Sequence, residues 1–308
     1  MNIKNSVQLV TPDSTATSAL SKFRYQAGGR VLSLDNIIVE QPLQIKLLWK
    51  EADSTEYLSQ VFSITMRTPG DDKALITGLM LSEGVIQSGQ QIASILPEVD
   101  DEEVSSSVDT KFDNQWKVKL NVGVVPNIKS LERFQVTYSS CGLCGTTSLK
   151  SLELKNPPSL NQTKYWLSFD TVCAMPERMR VKQAQFVQTG GSHAAALFNK
   201  FGEIIDIKED IGRHNALDKL LGARLMQQND DSLQHCVLVS GRISFEIVQK
   251  TVMAGVAVLI AVGAPSELAI LAAKRFNLTL IGFTTKSGFN LYHGDWRLLP
   301  LEEECQKI

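Results

Sequence analysis

Cys141 and Cys144, in the stretch SSCGLCGTT, are the residues of this chain best suited to chemistry. Two cysteines separated by two residues can bind zinc, cycle as a dithiol or carry sulfur. A structural zinc site needs four ligands. Here Cys173, Cys236 and Cys305 stand alone, and His193, His214, His235 and His293 form no close pair. Zinc-dependent base deamination needs His-x-Glu ahead of Pro-Cys-x-x-Cys. Ser140 precedes this pair instead, and the nearest histidine segment, SHAAA, follows it and lacks the glutamate. A thioredoxin-type pair belongs at a helix start in a βαβ unit, whereas this one sits among Gly and Thr. Flanking glycines leave the sulfurs reachable, unlike inert cysteines in apolar surroundings. Sulfur carriage suits such a loop. A thiolate takes the outer sulfur of a donor persulfide by the attack that drives thiol–disulfide exchange, and a second thiol can release that sulfur. A dithiol oxidoreductase remains the alternative at this point.

Other polar groups could assist. EDIGRHNALDK sets Arg213 and His214 just before a helix that Asn215 could cap, and TGGSHAA offers Gly190, Gly191, Ser192 and His193. They can bind phosphate or tune a pKa, or serve as capped turns. No Walker motif is present, which argues against ordinary NTP hydrolysis.

The elements that must position these residues fall into two halves. From Val31 to Met66 the pattern is that of strands, and TPGDD then opens a helix, KALITGLMLSEGVI. An acidic, serine-rich stretch reads as a solvated loop, and WKVKLNVGVV and RFQVTYSS read as strands. FVQT is expected to end a strand before a glycine turn. From Cys236 onward, near-continuous apolar strands (CVLV, VAVLIAV, LTLIGF) alternate with amphipathic helices. That pattern is a mainly parallel sheet covered on both faces. The expected organisation is a flexible tail over 1–20, a β-rich amino-terminal α+β domain over 21–138, a cysteine loop and linker over 139–162, and an α/β domain over 163–308. Ligands of such sheets sit beyond the carboxyl ends of strands. The segments there are Ser240–Ser244, Gly263–Glu267 and Phe283–Gly288, all rich in Gly, Ser or Thr.

The chain has 308 residues and a formal charge of −2, from 31 basic and 33 acidic side chains. That balance argues against nucleic acid as the main partner. The amino-terminal residues are too polar for a signal peptide, and the longest apolar run, Met253–Pro265, is too short to span a membrane. Few, odd-numbered cysteines indicate a reducing compartment. A cytoplasmic protein is expected.

Six segments, SSCGLCG, MRTPGDDKALITGLMLSEGVI, TGGSHAAAL, EDIGRHNALDKLLG, SGRISFEIVQKTVMAGV and GAPSELAILAAK, resemble signature segments of the formate dehydrogenase accessory sulfurtransferases, the FdhD family. The resemblance runs from about Arg24 to Trp296. It implies a cytidine-deaminase-like layered α/β domain without the zinc site. It also implies that Cys141 accepts persulfide sulfur from a cysteine desulfurase, supported by Cys144. The sulfur would pass to the molybdenum or tungsten bis(guanine dinucleotide) cofactor, bound as a substrate, which formate dehydrogenase needs. The family's cofactor-binding stretch corresponds to Phe283, Thr284, Thr285, Lys286, Ser287 and Gly288. There this chain departs, having Gly288 where many relatives carry arginine and Lys286 and Ser287 where they carry glycines. The cofactor's two guanine ends further imply a symmetric homodimer. A chaperone that binds the cofactor without carrying sulfur is the competing reading.

Overall fold

The computed structural model describes residues 15–98, 114–126, 149–227 apart from 151 and 154, and 234–300. Cys141, Cys144, Cys305 and the expected strand RFQVTYSS lie outside the described residues.

Strands β1 (Thr17–Gln26) and β2 (Gly29–Ile38) form a separate antiparallel two-stranded ribbon. Chain expected to be tail is therefore strand from Thr17 onward. Next come β3 (Gln41–Trp49), β4 (Leu58–Arg67), α1 (Asp72–Ser82), β5 (Ile92–Pro97) and β6 (Gln115–Leu120). The four strands make a sheet in the order β4-β3-β6-β5. Alternation in β3 sends Leu43, Ile45, Leu47 and Trp49 to one face, where they pack with Leu75, Ile76, Met80 and Leu81 of α1.

The carboxyl-terminal half comprises α2 (Phe169–Lys182), α3 (Ala184–Thr189), β7 (His193–Phe198), β8 (Ile204–Asp210) and α4 (Arg213–Gln227), followed by β9 (Cys236–Val239), α5 (Phe245–Met253), β10 (Val258–Ala261), α6 (Glu267–Arg275), β11 (Thr279–Thr285) and β12 (Gly288–His293). Its six strands run β12-β11-β10-β9-β7-β8. Only β9, β10 and β11 are mutually parallel, and the other pairings are antiparallel. The sheet is thus mixed, not mainly parallel. The turns joining β7 to β8 and β11 to β12 are too short for a crossover and enforce hairpins. Asn199 Oδ1 holds the first of these turns, accepting from the amides of Phe201 (2.9 Å) and Glu203 (3.0 Å).

Successive residues of the central strands serve opposite layers. Val237, Val239, Leu259 and Leu280 pack against α4, α5 and α6, and Cys236, Leu238, Val258 and Ile281 pack against α2. Both faces are covered, as the apolar runs require. FVQT is helix, not strand end: α3 stops at Gly190, whose left-handed φ of 68° caps it. Asn215 lies inside α4 instead of capping it. Its Nδ2 donates to Met66 O at 2.7 Å, bracing β4 from within the core.

The two halves are joined where α1 crosses α4. A Cβ built on Gly78 would lie 1.9 Å from Asp218 O, and one on Gly222 would lie 1.9 Å from Ala74 O. Lys250 Nζ, 2.7 Å from Asp218 Oδ2, and Ser82 Oγ, 2.9 Å from Asp218 Oδ1, close this seam. Among the described residues no helix is long and apolar enough to cross a membrane.

Gly222→Ala makes a test by sign. Helix propensity alone gains about 1 kcal/mol from alanine, whereas backbone-to-backbone overlap should destabilise by about 3 kcal/mol or more. Denaturant unfolding should show the loss.

Candidate functional site

Three turns lie side by side at one edge of the large sheet. Gly263 N donates to Gly241 O (3.3 Å), Ile243 N to Ala264 O (2.9 Å) and Ser266 N to Ile243 O (2.9 Å). Phe283 N donates to Gly263 O (3.1 Å), adding the third turn. A Cβ on Gly263 would sit 2.8 Å from Gly241 O, so the stacking needs a glycine there. The three segments expected at the strand ends therefore do meet.

Within Phe283–Gly288 the backbone departs from a plain hairpin. Phe283 has φ of 52°, rare for a bulky residue, and the β11–β12 register shifts between Gly282 and Thr285. The buried Thr284 hydroxyl has no hydrogen-bond partner. Thr285 Oγ1 donates to Gly288 O (3.0 Å) and accepts from Ser287 N (3.3 Å), fixing the turn. Open space surrounds the Gly288 Cα, where a side chain would meet nothing within 4 Å.

Lys286, at the tip, lines a cleft of about 1210 Å³ together with His193, Ser240, Ser192 and Arg178. Its far wall is α2, started by Ser168, whose side chain accepts from Thr171 N. Composition at that helix start signals it (Ser168, then Asp170 in the first turn), but an internal Pro176 breaks the pattern for a reader of sequence alone. Cys173 also lines this cleft. Burial and then Asp170 push its thiol upward, so it is held protonated and is a poor nucleophile.

Behind His193 and Ser240, which line the cleft, lies a polar cluster. His193 Nδ1 lies 3.4 Å from Ser240 Oγ, which accepts from Ala194 N at 2.9 Å. Arg213 and the His193 ring flank Gly241, each 3.5 Å from where a Cβ would stand. Arg213 Nε is buried without a hydrogen-bond partner. His214 Nε2 lies 3.2 Å from Ser244 Oγ. Burial, then Arg213 and Lys250, push His214 down to about 4, and burial with Arg213 lowers His193. Both imidazoles are neutral near pH 7. The cluster thus sets Arg213, two neutral imidazoles and the Ser240 and Ser244 hydroxyls beside three amide-rich turns, a set suited to an anion, with Glu246 the acidic group near His214 and Arg213.

A family model described as FdhD/NarQ family matches residues 38–299. The chain belongs to the FdhD/NarQ family. It is 41% identical to a protein of Streptomyces avermitilis over 86% of this chain and 89% of that protein. It is 43% identical to one of Streptomyces coelicolor (84% and 88%) and 35% identical to one of Sulfurisphaera tokodaii (84% and 89%). All three relatives are named sulfur carrier protein FdhD. The fold matches that of a formate dehydrogenase accessory protein of Desulfotalea psychrophila, with a TM-score of 0.66, 21% identity and coverage of 92% and 100% of the two chains. The mixed α/β fold class read from the sequence holds. Of Phe283–Gly288, the stretch expected to bind a cofactor, Lys286 lines the described cleft, while Cys141 and Cys144 fall outside the described residues.

The buried imidazole gives a pH signature. The unfolded chain takes up a proton at His214 below about pH 6.5, while the folded chain does so only near its depressed pKa of about 4. Stability should therefore fall on acidification through that window, by on the order of 2–3 kcal/mol. His193, shifted the same way, adds to it. His214→Gln should flatten the profile when unfolding free energies are compared at about pH 7 and 4.5.

Proposed function

We propose that this protein is a sulfurtransferase that carries persulfide sulfur on Cys141 during maturation of formate dehydrogenase. The observation that carries the reading is membership of the FdhD/NarQ family across most of the chain, with relatives named as sulfur carriers. In this reading a cysteine desulfurase presents a persulfide, R–S–SH. The Cys141 thiolate attacks the outer sulfur, the donor thiolate leaves, and no net oxidation occurs. Delivery uses the second thiol. Cys144 attacks Cys141 Sγ, a disulfide forms, and the outer sulfur departs as hydrosulfide with the two electrons of the thiol pair. The sparse cysteines suit a reducing compartment, the cytoplasm, where that disulfide is reopened.

The acceptor in this reading is the molybdenum (or tungsten) bis(guanine dinucleotide) cofactor, bound as substrate. Each of its pyrophosphates needs donors and positive charge, and the stacked turns beside Arg213 supply both. Lys286 stands close to where many relatives carry arginine and brings a cation to the cleft mouth. The neutral His193, which lines the cleft, can donate a hydrogen bond to a phosphate oxygen without being titrated near pH 7. A chaperone that only binds the cofactor would use the same cleft but no thiol.

Intact-protein mass spectrometry after incubation with a desulfurase and cysteine should show added sulfur, removed by reductant and absent from Cys141→Ala. Full activation of formate dehydrogenase by Cys141→Ala would instead select the chaperone. In the cleft, Lys286→Ala should weaken guanosine diphosphate binding by about tenfold, one lost charge-assisted contact, and leave the melting temperature unchanged. Unaltered binding would remove Lys286 from the site.

A further inference from the structure

The four-stranded sheet turns one face to α1 and leaves the other open among the described residues. Alternation in β3 sends Leu43, Ile45, Leu47 and Trp49 inward, and so sends Lys46 and Leu48 outward. The parallel register sets Lys117 of β6 beside Lys46 and Lys119 beside Leu48, so these two lysines share the outer face. On the flanking strands, Leu96 of β5 lies opposite Lys117, and Ile64 and Met66 of β4 lie opposite Gln44 and Pro42. Leu96, Ile64 and Met66 are 57%, 54% and 48% exposed, and none of them joins a buried core. Lysines on the two central strands are thus bordered by bare apolar side chains on both edges.

The positive charge is only partly answered where it stands. Glu98 lies 2.7 Å from Lys117 Nζ and 3.8 Å from Lys46 Nζ. Lys119 and Lys50 instead lie over the Tyr57 ring, at 4.3 and 5.8 Å from its centre. Glu51, Asp53 and Glu56 occupy the β3–β4 turn beyond Lys50. Like charges side by side on neighbouring strands, as at Lys46 and Lys117, oppose folding, and exposed apolar groups around them mark an interaction surface. We propose that this face is the docking surface for the protein that donates sulfur, which meets the lysines with an acidic patch.

The inference rests on the sulfur-carrier reading, and three features select the donor. First, the face and the cleft do not compete. Behind the face come α1, α4 and the large sheet in turn, and the cleft opens beyond that sheet against α2. A protein docked on the lysines leaves the cleft free for the acceptor. Second, β6, which carries Lys117 and Lys119, is the last described strand before Cys141 in the chain. Third, the size is right. Four strands about 4.8 Å apart and six residues at about 3.3 Å give a footprint of roughly 400 Å², that of a transient contact and not of a permanent one. A donor must leave after each transfer, and charge complementarity speeds the encounter. Phosphate polymers and lipid surfaces suit the face less well, because Glu98 stands among the lysines and Tyr57 is already taken by two of them.

The test is titration calorimetry of the full chain with the cysteine desulfurase of its own organism, beside Lys46→Gln/Lys117→Gln/Lys119→Gln. The native protein should bind, and more weakly as salt rises from about 50 to 300 mM. The variant should bind about tenfold more weakly, three exposed pairs lost, with little response to salt. None of the three lysines is buried, so the variant should keep its circular dichroism. Sulfur uptake gives a second readout. The variant should load slowly from the desulfurase but at the native rate from sodium polysulfide, a small donor that needs no docking. There the thiolate takes the terminal sulfur, and the shortened polysulfide leaves with the electron pair of the broken bond. Cys141→Ala should bind the desulfurase like the native protein. Binding without any uptake by the native protein would therefore sink the carrier reading and leave the docking surface standing. No binding by the native protein overturns the proposal, and so does an affinity that the variant leaves unchanged. Tighter, lysine-dependent binding of a DNA duplex or of phosphatidylglycerol vesicles overturns it as well, and assigns the face to phosphates.

Discussion

Two helices cross between Gly78 and Gly222 so closely that backbone touches backbone, and the position of every site element follows from that contact. A close crossing removes the water that would otherwise solvate polar groups at the seam, so those present must satisfy one another. They do. Lys219 and Asp210 pair at 2.8 Å with both side chains essentially inaccessible. Lys219 Nζ also donates to Thr68 O at 2.8 Å, and Asp210 Oδ2 accepts from Thr68 N at 3.0 Å. Removing one member of such a buried pair strands the other charge, at a typical loss of 3–5 kcal/mol. The same groups tie the end of β4 to the end of β8, so the joint between the halves is rigid.

That rigidity reaches the site in one step. Asp210 pairs in register with His193 across β7 and β8, and its Oδ1 accepts from Gly212 N at 2.8 Å, setting the turn that delivers Arg213. The preceding residue works in the other direction. Glu209 accepts from the amides of Gln185 and Phe186 at 2.9 Å each and from Ser192 Oγ at 2.7 Å, so one carboxylate caps α3 and fixes the glycine turn at the cleft edge. Two adjacent acids thus hold opposite walls of the cleft, one through the seam and one through a helix start.

Much of this was legible in sequence where burial imposes a period. The parallel strands Cys236–Val239, Val258–Ala261 and Thr279–Thr285 are apolar on both faces and stand out, as do the turns that follow them. What the sequence left unread or misread has physical causes. β8 is nearly all charged or half-buried at the sheet edge, so its strand character rests on pairing with β7 and not on composition. β1 mixes Ser, Lys and Arg with Leu and Phe, and its apolar stripe becomes visible only when the register with β2 places Phe23 beside Leu32. Asn215 looks like a cap by type and position, yet its partner Met66 lies 149 residues away. Contacts at that separation leave no local trace.

Phe283 shows where local preference yields to the site. A left-handed φ costs a bulky residue on the order of 1–3 kcal/mol and persists only where the surroundings over-determine it. Here they do. Phe283 N is held by Gly263 O, a Cβ on Gly282 would lie only 3.0 Å from Pro265 Cδ, and Thr285 closes the turn on Gly288. The strand cannot continue flat through Phe283 without breaking the stack of three turns. The bend instead swings Lys286 over the cleft on the side of His193 and Ser240. Strain at one residue thereby places a cation that an unbent hairpin would carry away along the sheet edge.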